Sequence, residues 1–406
     1  MNPLTILVVN DFACVEGGAS QVALSSAAGL VARGHHVHLF AASGPVSDEI
    51  ARSPVNVTVL GQRSIADDPS RLRAAIQGIW NRRAHDTMCE LLAGFDRRTT
   101  VVHCHVWVKS LSSSVVRAAL ACRFPVVITL HDYFTACPNG GFFNYPKREI
   151  CTLRAMSAAC VLTNCDKRSY PQKLWRTARQ WVQKHMGDVP SGVRHFITVS
   201  EFSERILRPY LPFECRTHRV SNPVSIEPGP PVNPDMNEDF VFVGRLDPEK
   251  GPMVFAEAAA LTGVRAVFVG DGMCAETIRR KCPSAIVTGW VGREQVIQHL
   301  RQARALVFPS LWYETFGLTV AEAAALGVPA IVSEDSAAAE LVEDGVTGFH
   351  LRTGDVGDFC AKLKQLSDGQ TATRLGHASY GRYWASPTTI EHHLDHLERV
   401  YQEILS

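Results

Sequence analysis

Two runs of short apolar segments, each alternating with helical periodicity and separated by a stretch rich in proline and glycine, constrain this chain more than any other feature. The first run opens on a strand-like segment, Leu4 to Val9, and a loop holding Gly17 and Gly18. A helical pattern follows from Gln21 to Ala32, with Gly34 as its stop, and then a second strand from Val37 to Ala41. Further strand-like runs at Val55 to Leu60, Thr100 to His103, Val126 to Leu130 and His195 to Val199 leave room for helices between them. Such alternation predicts a parallel sheet covered on both faces.

The segment PVSIEPGPPVNP, Pro223 to Pro234, breaks the pattern, and a new apolar strand begins at Phe240. The alternation then resumes, with strands near Ala266 to Val269, Ala285 to Thr288, Ala305 to Phe308 and Ala330 to Ser333. The expectation is an α/β protein of two doubly wound, Rossmann-like domains, residues 1–222 and 223–385. Residues 386–406 form a closing helix that begins at Ser386 and Pro387 and carries Ile390, Leu394, Leu397, Tyr401 and Ile404 on one face.

Hydrophobic residues make up 46% of the 406 and charged residues 20%, which excludes disordered, collagenous and coiled-coil chains. No uncharged apolar run reaches the roughly 18 residues of a membrane span, and the opening MNPLTILVVND meets Asp11 without a basic leader segment. These features suggest a cytoplasmic protein without a signal peptide, so the 12 cysteines read as free thiols or metal ligands rather than disulfides. The net charge of +1 conceals a split at Asn222: Lys plus Arg against Asp plus Glu is 26 to 16 before it and 15 to 24 after it. Two halves of opposite sign are suited to different partners.

The most informative stretch is FPSLWYETFGLTVAEAAALGVPAIVS, Phe308 to Ser333. A strand ends at Phe308, a loop carries Glu314, and a helix begins near Phe316, so the amides of Phe316, Gly317 and Leu318 point out of a helix N-terminus. That end favours anions, and Gly317 has no side chain to obstruct a pyrophosphate. Glu314 precedes the helix and Glu322 lies within it; both could be solvated acids, or could address different parts of one ligand. A second signal, FVFVGRLDPEKGP, ends a strand at Gly244 and brings Arg245 and Lys250 to the same end of the sheet, as surface ion-pair partners or as cations for a diphosphate leaving group. In the first half, Gly17 and Gly18 sit where a strand gives way to a helix. The fingerprint G-x-G-x-x-G is absent. His103, His105 and His131 are each expected to follow a strand, where a side chain can enter a cleft between domains.

These segments, with TLHD, TVSEFSERI, VGDG and ELVEDGVTGF, resemble glycosyltransferase family 4, retaining enzymes of the GT-B fold. The resemblance implies two Rossmann-like domains facing a cleft, the closing helix crossing back to the N-terminal domain, a nucleotide sugar held mainly by the second domain and an acceptor mainly by the first. By motif position, Arg245 and Lys250 would bind the donor diphosphate, Glu322 the ribose hydroxyls and Glu314 the transferred sugar, with His131 beside it. The amides of Phe316, Gly317 and Leu318 would complete the pyrophosphate site, and Gly17 and Gly18 would admit the donor phosphate or acceptor. The donor base in this family is most often uridine, no organic cofactor is implied, and transfer would serve cell-surface polysaccharide or glycoconjugate assembly. The alternatives are another GT-B enzyme, such as an epimerase or a phosphorylase, and a two-lobed sugar-binding protein. Ser20 stands where many relatives carry an acid, and Asn222-Pro223 where Asn-Gly is common.

An insertion near residues 137–186 holds Cys137, Cys151, Cys160 and Cys165 at intervals of 13, 8 and 4 residues. Such thiols suit a structural zinc, an iron–sulfur cluster or no metal at all. From Cys137 to Lys184 there are nine Lys or Arg against two acids. Within it, QKLWRTARQWVQKHM predicts a basic helix with Leu174, Ala178, Trp181 and Val182 on one face, fit to rest on an anionic membrane beside a lipid-linked or acidic glycan acceptor, or to pack on its own domain. No nucleic-acid motif accompanies the charge.

Overall fold

The fully apolar runs become the central strands of two parallel sheets, each in its own unit. The computed structural model describes residues 3–406, and its contacts divide them in two: the chain up to Gly140 with Leu153–Pro223 and Ile390–Ser406, and Gly141–Thr152 with Val224–Thr389.

The first unit is built on β1 (Thr5–Phe12), β2 (His36–Ser43), β3 (Asn56–Val59), β4 (Thr100–Val106), β5 (Val126–Leu130), β6 (His195–Thr198) and β7 (Arg216–Arg219). The spatial order is β3-β2-β1-β4-β5-β6-β7, every neighbour parallel. Ile6, Leu7, Val8 and Val9 are all buried because helices cover both faces, so the strand reads as continuous rather than alternating. The order reverses between β1 and β4, and ligands of open α/β sheets gather beyond the carboxyl ends at such a reversal. Strand β4 runs to Val106, so His103 and His105 lie inside it and are buried rather than following its end. The edge strand β7, with sequence RTHR, has no apolar residue to announce it.

The closing helix, Ile390–Leu405, belongs to this first unit. It buries Leu394, Leu397, Val400 and Tyr401 in the same core as Ile6, Val8 and Val127. Polar contacts fix its register on the helix Gly18–Ala32 and the turn that follows. Ser26 Oγ lies 3.0 Å from His393 Nε2, Arg33 pairs with Asp395 at 2.7 Å, and His35 lies 3.1 Å from Glu398. The helix starts at Ile390, because Ser386 ends the preceding helix Gly369–Ala385 and the Thr388 carbonyl accepts from the Val224 amide.

The helix Tyr170–His185 forms as expected, capped by Ser169, but turns the other way. Lys173, Arg179, Gln180 and Gln183 are buried, while Leu174, Trp181 and Met186 are exposed. Arg179 explains the inversion: its guanidinium lies between the rings of Phe134 and Trp175 and donates to the carbonyls of Val108 and Pro138. Arg176 likewise pairs with buried Asp166 at 2.8 Å. Part of the positive charge counted in the sequence is therefore internal.

The second unit carries β8 (Asp239–Val243), β9 (Arg265–Val269), β10 (Ile286–Val287), β11 (Ala303–Phe308), β12 (Ala330–Ser333) and β13 (Gly348–Leu351). Their order is β10-β9-β8-β11-β12-β13, again parallel throughout, with the reversal between β8 and β11. A two-stranded hairpin, Phe143–Asn144 with Glu149–Ile150, is grouped with this unit, although its sequence lies in the first half. Gly141 closes against the Trp312 ring, and the rings of Phe142 and Tyr313 pair at 6.4 Å. No helix among the described residues is long and apolar enough to cross a membrane.

Candidate functional site

Adjacent parallel strands place their following loops side by side, and the loops after β8 and β11 flank the reversal in the second sheet. After β8 the chain passes Gly244 and Arg245, makes a short turn over Pro248–Lys250 and enters the helix Pro252–Thr262 through Gly251. Gly251 sits at φ 70°, and a Cβ there would collide with the Pro309 carbonyl oxygen, so only glycine lets the two loops close. The Leu311 amide then donates to the Glu249 carbonyl at 2.9 Å.

This closure carries Lys250 Nζ to 2.6 Å from Glu314 Oε1. Ser310 Oγ donates to the same oxygen at 2.7 Å, and the Trp312 ring faces the ammonium at 4.9 Å. Burial alone would raise the Glu314 carboxyl, but Lys250, with Ser310 donating, holds it below its usual range. Arg245 is half-exposed and is held by Asp247 at 2.5 Å and Glu249 at 3.2 Å. Its fork is thus already presented at the loop, with carboxylates that an anionic ligand would have to replace.

The helix after β11 runs Leu318–Leu326, two residues later than the sequence suggests, and Gly317 precedes it without any side-chain cap. Its positive dipole end is open, whereas the Phe316 side chain is buried. Glu322 is buried one turn in, where Arg293 Nη1 lies 2.8 Å from its Oε1. Burial raises this carboxyl and Arg293 works against the rise. The other guanidinium nitrogen of Arg293 donates to the Ser225 carbonyl.

In the first unit, Gly17 adopts φ 128° with open space around it, and Gly18 begins the first helix with no side-chain cap. His131 follows β5, with Nε2 2.9 Å from His105 Nδ1. Burial, with the nearby His393, pushes His131 down to about 3, so its ring is neutral at ordinary pH. His103 bridges Tyr401 Oη and Thr129 Oγ1, each at 2.6 Å. Asp11, buried in β1, accepts from the amides of Lys109, Ser110 and Leu111 and pins the loop after β4.

Comparison with known proteins places the chain in a family. The model of Glycosyltransferase Family 4 matches residues 16–228, and that of Glycosyl transferases group 1 matches residues 237–368. The chain belongs to glycosyltransferase family 4. A D-inositol 3-phosphate glycosyltransferase of Mycolicibacterium smegmatis is 26% identical over 383 residues, which cover 89% of this chain and 81% of that protein. A GDP-mannose-dependent alpha-mannosyltransferase of Corynebacterium glutamicum is 36% identical over 127 residues, 31% of this chain and only 30% of that protein. The crystal structure of Anabaena Alr3699/HepE in complex with UDP and glucose superposes with a TM-score of 0.67 at 16% identity, covering 98% of this chain and 99% of that one. The fold is therefore GT-B.

For this glycosyltransferase, Lys250 and Glu314 meet, Arg245 lies on the same loop as Lys250, and the helix that starts at Leu318 without a side-chain cap follows Glu314 and carries Glu322, all within the second unit. Gly17, Gly18 and His131 lie in the first. Ser310, Trp312 and Arg293 complete the second-unit group and escaped the sequence reading. The first two were inside the informative stretch, while Arg293 carried no signal beyond opening a helix. The metal expectation is not met: among the described residues no group of three or more His, Cys, Asp or Glu is placed to hold a metal ion. Lys173 Nζ lies 3.5 Å from Cys160 Sγ and interacts with Cys165 and Cys137, so these three thiols surround an ammonium. Cys151 is on the hairpin grouped with the second unit.

Proposed function

We propose that this family-4 enzyme transfers a hexose-like sugar, with retention of anomeric configuration, from a uridine-linked nucleotide sugar to a hydroxyl of a glycan or lipid-linked acceptor. Its setting would be cell-surface polysaccharide or glycoconjugate assembly on the cytoplasmic side. The observation that carries this reading is the Lys250–Glu314 pair beside an uncapped helix N-terminus. Breaking a glycosyl phosphate bond builds negative charge on the departing oxygen, and a largely buried ammonium, an arginine fork and the amides of a helix N-terminus would stabilise that charge once the ligand replaces the carboxylates now paired with the arginine. Arg245 and Lys250 would take the diphosphate, Glu314 the transferred sugar, and Glu322 the ribose. His131, neutral, would offer a hydrogen bond to the sugar rather than a charge. With no second carboxylate assigned across the sugar, the leaving phosphate itself would receive the acceptor proton on the face from which it departs.

The solved relative with UDP supports uridine, while the Corynebacterium relative's name makes guanosine the competing base. Exposed Leu174, Trp181 and Met186 on one helix support peripheral contact with an anionic membrane bearing the acceptor.

The test is to offer uridine- and guanosine-linked sugars with and without lipid-linked glycan acceptors, following nucleoside diphosphate release and product anomers by NMR. Release that requires acceptor and yields a retained anomer supports the proposal. An epimerised nucleotide sugar, phosphate-dependent cleavage, or binding without turnover would replace it with one of the alternatives.

A further inference from the structure

Lys173 is the most unusual buried group outside the donor site. Its side chain is wholly buried, yet among the described residues no carboxylate pairs with it. Its partners are sulfurs: Cys160 Sγ at 3.5 Å, Cys165 through a second hydrogen bond, and Cys137 within electrostatic reach. The sulfurs offset the cost of burying the ammonium, and they hold its nitrogen within reach of a thiol.

We propose that Lys173 Nζ and Cys160 Sγ are joined by dioxygen into a reversible nitrogen–oxygen–sulfur bridge, which ties the helix Tyr170–His185 to the short helix Ala158–Leu162. Cys160 is the sulfur selected, because Cys165 Sγ also accepts from Asn139 Nδ2 at 3.2 Å, while the Cys160 sulfur has the lysine alone as its described hydrogen-bond partner. Both thiols are buried, which keeps bulky reagents out and admits a small oxidant. The reaction starts from amine and thiol, after the ammonium has released one proton to solvent. The S–H bond, one N–H bond and the oxygen–oxygen bond break, and S–O and O–N bonds form. One oxygen atom enters the bridge and the other leaves as water with the two hydrogens. Sulfur and nitrogen supply the electrons that dioxygen takes up. The product is neutral, so a buried ammonium gives way to a covalent link.

The test compares the full-length chain kept anaerobic in thiol reductant with the same protein exposed to dioxygen, by peptide mass mapping after alkylation. Support would be a linked pair of peptides containing Lys173 and Cys160, heavier than their sum by one oxygen less two hydrogens, and separated by reductant. It should be absent from Lys173→Met and retained in Cys165→Ser; wild-type mapping decides the matter even if a variant folds poorly. A disulfide among Cys137, Cys160 and Cys165, oxygen added to a single cysteine peptide, unchanged thiols, or stoichiometric zinc or iron in the anaerobic protein would each overturn the proposal.

Discussion

Lys250 Nζ meets Glu314 Oε1 at 2.6 Å, although 64 residues separate them, and this pair couples the loops that follow β8 and β11. Both side chains are largely buried, so each neutralises the other. Replacing Lys250 by Ala leaves the Glu314 carboxylate buried without its cation, at a cost of about 3 kcal/mol in stability. Lys250→Ala with Glu314→Ala should recover most of that loss, because no charge is left unpaired. Transfer should fall by about 10²-fold or more in both, since the leaving-group cation is gone in both. Denaturation curves set beside initial rates check this. Activity recovering together with stability would remove both residues from the chemistry.

Gly251 is the hinge of that coupling. Gly251→Ala must place a side chain at φ 70° and against the Pro309 carbonyl, so the loops should separate. The backbone cost alone is about 1–3 kcal/mol. Binding of nucleoside diphosphate, followed by calorimetry, should weaken by more than the melting temperature would suggest. Unchanged affinity in a destabilised variant would make the glycine purely structural.

The two segments of the proposed donor end were legible because each is local: Gly244 to Pro252 and Phe308 to Ser333 are each a strand, a loop and a helix start, and parallel pairing of β8 with β11 brings them together. The strand β7 and the orientation of the helix Tyr170–His185 were not legible. In β7, pairing with β6 overrides a polar sequence. In the helix, Arg179 is buried because Phe134, Trp175 and two carbonyls from distant segments solvate it, and no window of sequence contains those partners. The cysteines left metal and free thiols open for a related reason: spacing records thiols, not the lysine that folding places among them.

Arg293 is the ion-pair partner of buried Glu322, the residue proposed to receive the ribose. Burial raises the Glu322 carboxyl and Arg293 opposes that rise, so Arg293→Ala should push it further toward the protonated form. A protonated carboxyl presents a poorer acceptor to ribose hydroxyls. Nucleoside diphosphate affinity should fall about tenfold near neutral pH and partly recover at higher pH, where Glu322 ionises again. Titrations at two pH values check this. A loss of equal size at both would assign Arg293 to direct ligand contact instead.

Acid should loosen the first unit through histidines that the fold keeps neutral. Burial pushes His131 down to about 3 and His393 to about 4, and it holds His103 and His105 well below their ordinary value of 6.5. Below 6.5 the unfolded chain takes up protons that the folded chain refuses, so unfolding binds protons and stability falls as pH falls. The loss from His393 runs from 6.5 down to about 4, at up to about 1.4 kcal/mol per pH unit. Burial raises Asp132 to about 6 and raises Asp11 as well, and these carboxyls act in the opposite sense by binding protons first in the folded state. The histidines outnumber them, so the net slope remains destabilising. His393→Gln retains a polar group opposite Ser26 and the Ser221 carbonyl but cannot titrate. Denaturant unfolding between about pH 7 and about pH 5 should therefore show a shallower loss in His393→Gln than in the native chain. Parallel pH profiles would mean that His393 takes up its proton equally well in the folded and the unfolded chain, and the buried network would need another source for its acid sensitivity.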